Sequence, residues 1–313
     1  MVEKKSLSII VPLYNEEDAL PHFAPHLISS ISKLSEYERE IVFVDDGSSD
    51  RTFEILQEIC AENSVCKTIQ LRKHFGKTAA LMAAFKHISG KYVITIDGDG
   101  QDDPDEIPRI LEGLDQGYDL VNCWKQNRKD IPVKRVLSKI FNSVISFTFG
   151  VNLRDHNCGF KGYRREVIDE LDLYGEMHRF IPVIAGTQGF SFTEIPVVHH
   201  QREHGSSKYG FERVWRGFFD MTALLFLYNF STKPLHFFGF FGVLFLSFGF
   251  LIGGYFYVDW LATGASHIRP MMLLGLILII LGFQSFSLGF ICELLTAKNH
   301  EHEYRVREKV NFD

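Results

Sequence analysis

The sequence predicts an α/β domain built on a parallel, helix-covered sheet, followed by a membrane-associated C-terminal part. Three observations carry that reading. Short apolar runs alternate with helical stretches as far as about residue 210, a polar cluster follows each run, and two runs of 22 residues, Phe237–Val258 and Met271–Cys292, hold no formal charge. Leu7–Val11 is the first strand, closed by Pro12, which cannot donate to a ladder. A helix is predicted from Asn15 to about Leu34. Ile41–Val44, all β-branched or aromatic, form the second strand. The next helix, Asp50 to about Glu62, takes Ser48 or Ser49 as its cap, because a hydroxyl oxygen can accept from a first-turn amide. Thr68–Leu71 and Tyr92–Ile96 are further strands, separated by a helix around Lys77–Ile88. Functional loops in such sheets lie at the carboxyl ends of strands. Pro12–Glu16, Asp45–Ser48, Arg72–Lys77 and Asp97–Asp103 all lie there.

The stretch Tyr92–Asp103 reads YVITIDGDGQDD. On an extended backbone Asp97 and Asp99, at i and i+2, point to one side and can share a divalent cation; Gly98 is expected to leave room for a bulky anion beside it. Hard carboxylate oxygens suit Mg2+ or Mn2+ chelated by a diphosphate. Two other readings stay open on these residues alone. One is a solvated acidic turn; the other is an aspartyl phosphotransferase of the haloacid dehalogenase type, although that group has Thr or Val where this chain has Gln101.

Each uncharged run spans roughly 33 Å as a helix, enough for a hydrocarbon core of about 30 Å; a buried soluble hairpin is the alternative. Arg213, Arg216 and Lys233 precede the first run and Lys298, Arg305, Arg307 and Lys309 follow the second, whereas the connecting loop Asp259–Pro270 carries only Arg269. Both termini are therefore expected in the cytoplasm. Lys4 and Lys5 precede only a brief apolar run, so no secretory signal peptide is expected. Cys60, Cys66, Cys123, Cys158 and Cys292 lack C-x-x-C spacing, which argues against a disulfide frame or zinc site. A formal net charge of -6 argues against a nucleic-acid partner.

Two stretches are amphipathic at helical spacing. Val133, Val136, Leu137, Ile140, Phe141, Val144 and Phe147 form an apolar stripe beside Lys134, Arg135, Lys139 and Asn142. Phe211, Val214, Trp215, Phe218, Phe219, Thr222, Leu225 and Phe226 form another beside Arg213 and Arg216. Both suit the lipid headgroup layer; packing on the domain, or on another copy in a homo-oligomer, is the alternative. The expected division is 1–210 for the catalytic domain with an interfacial segment at about 133–148, 211–235 for a juxtamembrane helix, 236–295 for two spans and 296–313 for a cytoplasmic tail.

Taken together, VPLYNEE at Val11–Glu17, VDDGSSDRT at Val44–Thr52, DGDGQDDP at Asp97–Pro104, DHNCGFKGYRR at Asp155–Arg165 and REHGSSKY at Arg202–Tyr209 resemble the GT-A (Rossmann-like) fold of family 2 glycosyltransferases. The resemblance covers most of residues 6–208. With two C-terminal spans the chain is similar to the polyprenyl-phosphate glycosyltransferases, the group holding dolichyl-phosphate mannose synthases and undecaprenyl-phosphate glucosyl and aminoarabinosyl transferases. Lys125–Asp130, KQNRKD, is similar to the aminoarabinosyl branch.

The resemblance implies an inverting, metal-dependent transfer of one sugar from a nucleotide-diphosphate sugar to a polyprenyl phosphate at the cytoplasmic membrane face. Pro12, Tyr14 and Glu16 would border the nucleotide, and Asp46 would accept from its base. Asp97 and Asp99, with Gln101, would hold the metal, Mg2+ or Mn2+, and the donor. Asp102 and Asp103 are expected to cap the helix before Pro104. His74 and Lys77 either reach the donor or simply begin a surface helix. A lipid phosphate already bears roughly -1.5 to -2 charges, so it needs positive charge more than a base. Lys125, Arg128, Lys134, Arg135, Arg202 and Lys208 are the candidates for gripping it or the leaving diphosphate. Asp155 stands at the motif D-x-x-x-G-F and either orients the sugar or a basic residue, or acts as a base. A processive polysaccharide synthase would need a Q-x-x-R-W motif, which is absent, and more spans. A non-enzymatic membrane scaffold with a relict domain is a third possibility, and intact Asp97, Asp99, Arg202 and Lys208 argue against it.

Overall fold

The computed structural model describes residues 5–125, 149, 151, 153–155, 158–198, 222, 226, 233–264 and 270–298. The chain divides into two compact units, 1–213 and 214–313. In the first, β1 (Lys5–Leu13), β2 (Tyr37–Asp45), β3 (Cys66–Gln70), β4 (Tyr92–Thr95), β5 (Leu120–Lys125), β6 (Lys161–Arg164) and β7 (Phe192–Val197) form one sheet in the order β3-β2-β1-β4-β6-β5-β7. Around it lie α1 (Leu20–Ser32), α2 (Thr52–Glu62), α3 (Lys77–Phe85), α4 (Ile107–Asp115), α5 (Arg165–Glu170) and α6 (Ile181–Thr187).

Strand alternation divides the core between the two faces of the sheet. Ile9, Val11, Ile41, Phe43 and Ile94 pack with Leu20, Phe23 and Leu27 of α1 and Ile110, Leu111 and Leu114 of α4. Ile10, Val42, Val44 and Val93 face the other way, onto Ala80, Leu81, Ala84 and Phe85 of α3 and Val167, Ile168, Ile181 and Ala185 of α5 and α6.

Three expectations are corrected. The sheet is mixed rather than parallel, because β6 runs antiparallel to both β4 and β5. The first helix begins at Leu20, not Asn15, because the preceding residues are bonded to another loop. Asn15 takes a left-handed φ of 51°, its amide donates to Ser48 Oγ and its Oδ1 accepts from Ser49 N, while the Glu16 amide donates to Thr52 Oγ1. For the same reason neither Ser48 nor Ser49 caps α2; Asp50 Oδ1 accepts from the Thr52 amide and hydroxyl instead.

The second unit contains α7 (Pro234–Thr263) and α8 (Pro270–Lys298), both long and apolar enough to cross a membrane. They contain the two uncharged runs and pack antiparallel along glycines spaced seven apart. A Cβ on Gly242 would lie 3.2 Å from the Gly282 carbonyl, and one on Gly249 would lie 2.9 Å from that of Gly275. Small residues at such a seam let helix backbones approach where lipid removes the hydrophobic drive. Glu293 Oε2 accepts from the Leu235 amide at 3.1 Å, satisfying a first-turn donor of α7. The interfacial segment 133–148, nearly all of 211–232 and most of the tail lie outside the described residues.

Candidate active site

The site is assembled at the carboxyl ends of β1, β2 and β4 and at the start of β6. β4 ends at Thr95, and Gly98 and Asp99 lie in a turn, so a turn rather than strand alternation positions the two carboxylates. The expectation for Gly98 is also corrected. A Cβ there would strike the side chain of Leu13 and come within 3.1 Å of Val11, so this glycine accommodates the core and not an anion.

Asp97 accepts a hydrogen bond from the Lys77 ammonium, which the start of α3 presents to it. Burial pushes the Asp97 carboxyl up, but the charges of Lys77, Lys125 and Lys161 outweigh this and hold it at about 2. Asp99 is shifted upward, by burial and by the neighbouring Asp97 charge, although Gln101 N donates to its Oδ1 at 3.1 Å. Two carboxylates whose charges oppose each other fit a hard divalent cation; of Gln101, the backbone amide is bonded to Asp99. His26, Asp103 and Asp105 also lie close enough to share an ion. There, however, Asp105 already accepts from Ser30 and Lys33, and Asp103 Oδ1 accepts from Asp105 N as the cap of a short 3-10 turn. Asp103 thus caps as expected, whereas Asp102 does not: it is buried and faces Lys125 Nζ at 3.6 Å. Burial lowers the Lys125 ammonium, but Asp102, Asp97 and Asp99 bring it above its usual value.

Among the residues expected to border a nucleotide, Tyr14 stacks on His74 with ring centroids 3.9 Å apart, and His74 Nδ1 lies 2.8 Å from Asp46 Oδ2. The Asp46 carboxylate accepts from the amides of Phe75 and Gly76, 2.8 Å each, so it holds the loop that leads to Lys77. Gly76 adopts a φ of 96°, a conformation open to glycine at little cost. Asp45 bonds Ser48 N and Gln70, as ordinary turn chemistry requires. Pro12 lies in β1 and Glu16 in the loop bonded to Thr52.

The Asp155–Arg165 motif enters through β6. Its antiparallel pairing sets Lys161 opposite Thr95, and a Cβ on Gly159 would lie 2.5 Å from both carboxylate oxygens of Asp97. Thr95 Oγ1 donates to the Gly159 carbonyl at 2.8 Å. Lys161 is only 2% exposed and donates to the Cys158 carbonyl. Burial lowers its ammonium, and the charges of Lys77, of the buried Asp155 and of Asp97 also act on it. His178, bonded to Thr78, is likewise pushed well down by burial and by Lys77. Lys161 and Gly159 are letters of the motif, but no local signal marks them as partners of Asp97; that follows only from the reversed strand. Nothing in the sequence singles out His178. Arg128, Lys134, Arg135, Arg202 and Lys208 lie outside the described residues.

Residues 8–172 match the family model described as glycosyl transferase family 2. Over 294 residues the chain is 35% identical to an undecaprenyl-phosphate 4-deoxy-4-formamido-L-arabinose transferase of Klebsiella pneumoniae (strain 342), covering 93% of this chain and 88% of that one. It is 34% identical over 300 residues to a dodecaprenyl-phosphate galacturonate synthase of Rhizobium johnstonii, covering 94% and 88%. Among solved structures, glucosyl-3-phosphoglycerate synthase from Mycobacterium tuberculosis in complex with Mn2+ and UDP-glucose aligns with a TM-score of 0.54 at 20% identity, over 72% of this chain and 79% of that one. This last likeness shows a common GT-A-like fold.

Proposed function

The chain belongs to glycosyltransferase family 2, and from that premise we propose that it transfers a single sugar from a nucleotide-diphosphate sugar to a polyprenyl phosphate, with inversion at the anomeric carbon. The observation that carries this reading is the packing of Gly159 against Asp97, which joins the Asp155 motif to the acidic turn in one site. The relatives at 35% and 34% identity, both named for polyprenyl-phosphate acceptors, supply the acceptor class.

In the proposed reaction a phosphate oxygen of the lipid forms a bond to the anomeric carbon as the bond from that carbon to the nucleotide diphosphate breaks. The attacking phosphate is already anionic, so no proton has to be removed. Asp97, Asp99 and Gln101 would hold Mg2+ or Mn2+, which when bound supplies positive charge against the departing diphosphate. Pro12, Tyr14, Glu16 and Asp46 border the nucleotide, and Lys125 faces the donor from the end of β5. Asp155 orients the sugar. Arg128, Lys134, Arg135, Arg202 and Lys208 bring the two anions together. The two apolar helices span the membrane as a hairpin, with the catalytic unit and both termini on the cytoplasmic side and the stretches 133–148 and 211–235 in the headgroup layer.

The test offers the purified full-length protein a panel of UDP-, GDP- and dTDP-sugars, including the sugars named for the relatives, with undecaprenyl and dolichyl phosphates. Lipid products are identified by mass. A lipid-phosphate-linked sugar is expected from one donor class; donor hydrolysis alone, or transfer only to acceptors other than a lipid phosphate, would overturn the reading.

A further inference from the structure

Asn122 of β5 and Glu194 of β7 stand opposite each other in parallel register, and both side chains turn to the same short stretch of backbone. Glu194 Oε1 and Oε2 accept from the Arg154 amide at 3.0 Å each. Asn122 Nδ2 donates to the Asp155 carbonyl at 2.8 Å and to Glu194 Oε1 at 3.3 Å. The Arg154 guanidinium lies over the Trp124 ring, 4.8 Å from its centroid. We propose that Glu194 is a positioning residue for sugar transfer, acting with Asn122 as a clamp that sets where Asp155 stands.

Two features separate this from ordinary sheet packing. β5 and β7 are paired over their whole length through Lys125 and Val197, so the strands have their own ladder; what the clamp adds is a hold on residues 154–155. Asn122 is fully buried, and the two acceptors fix its amide, leaving Oδ1 buried without a hydrogen-bond partner among the described residues. An apolar side chain at that position would avoid the cost of an orphaned acceptor. The buried Asn122 and the half-buried Glu194 are explained by the backbone they hold.

The proposal rests on the reading of Asp155 as a group acting on the donor sugar, so the experiment separates the two. Full-length Glu194→Gln, Asp155→Asn and the double variant are assayed with the donor and lipid phosphate that support turnover. Gln keeps the size of Glu194 but sets an NH2 group against an amide N–H. In Glu194→Gln, kcat is expected to fall about tenfold or more, with donor KM and unfolding midpoint unchanged. Added to Asp155→Asn, the same change should lower kcat by less than about twofold, because the position it secures no longer carries the carboxylate that orients the sugar. Wild-type kcat in Glu194→Gln, with Asp155→Asn impaired, overturns the clamp and leaves the Asp155 reading standing. Wild-type kcat in Asp155→Asn overturns that reading and the clamp with it. Should Glu194→Gln lower the unfolding midpoint, Glu194→Asp decides: a reduced kcat at the wild-type midpoint supports the clamp, and an unchanged kcat refutes it.

Discussion

An added Cβ at Gly159 would meet both oxygens of Asp97 at 2.5 Å, so Gly159→Ala must displace the carboxylate on which the proposed metal and donor sites depend. Turnover is expected to fall at least tenfold and Mn2+-dependent nucleotide binding to weaken, while circular dichroism stays that of the wild type. An unchanged Mn2+ affinity by calorimetry would refute it. Asp97→Asn and Asp99→Asn each remove a hard anionic ligand and should nearly abolish transfer; full activity of either variant, or of the wild type in excess chelator, would count against the metal assignment. The two residues that meet here, Asp97 and Gly159, appear in the sequence as letters of separate motifs. The Gly159 contact and the burial of Lys161 were not legible there, because both depend on a strand direction that no local pattern encodes.

Elements were legible where apolar periodicity is strong, and all four strands expected up to Ile96 are present. Boundaries failed where polar side chains bond to a distant loop, as at Asn15–Glu17, since hydroxyl and amide groups there compete with helix formation. The same chemistry holds the opposite end of the sheet. Glu40 of β2 is buried and accepts from Ser8, Ser89 and Lys67. Burial raises its carboxyl, yet these donors outweigh it and bring it to about 2. A folded-state value below the unfolded one, about 4.3, means the stabilisation is complete above that pH and is lost as pH falls through about 2. Glu40→Gln should therefore cost roughly 1–3 kcal/mol at pH 7. The deficit should shrink toward pH 3. Unfolding midpoints of the full chain in detergent, compared at the two pH values, check this; a pH-independent deficit would show that Glu40 contributes through packing alone.

For the whole molecule, nucleotide sugars are cytosolic reactants, so the ends of β1, β2 and β4 must face the cytoplasm if the proposed reaction operates. In a background lacking the five native cysteines, Ser266→Cys should react with an impermeant thiol reagent from outside the cell. Asn311→Cys should react only after the membrane is opened. Labelling of both from outside would sink the hairpin topology; both positions lie outside the described residues, and the expectation rests on the count of basic residues flanking the two runs. The two long apolar helices were the most legible elements of all, because helices of soluble domains rarely continue this far without a charge. The reversed β6 also bears on how such enzymes diversify. Since β4 and β5 both run opposite to β6, the chain leaves the sheet at Lys125 and re-enters it at Lys161 on the same rim, the one that carries Asp97. Val151, Leu153, Cys158 and Phe160 are buried just before re-entry. Lys125 and Lys161 therefore mark two points of one rim beside Asp97, and grafting residues 126–148 between family members asks whether the connection between them sets the acceptor.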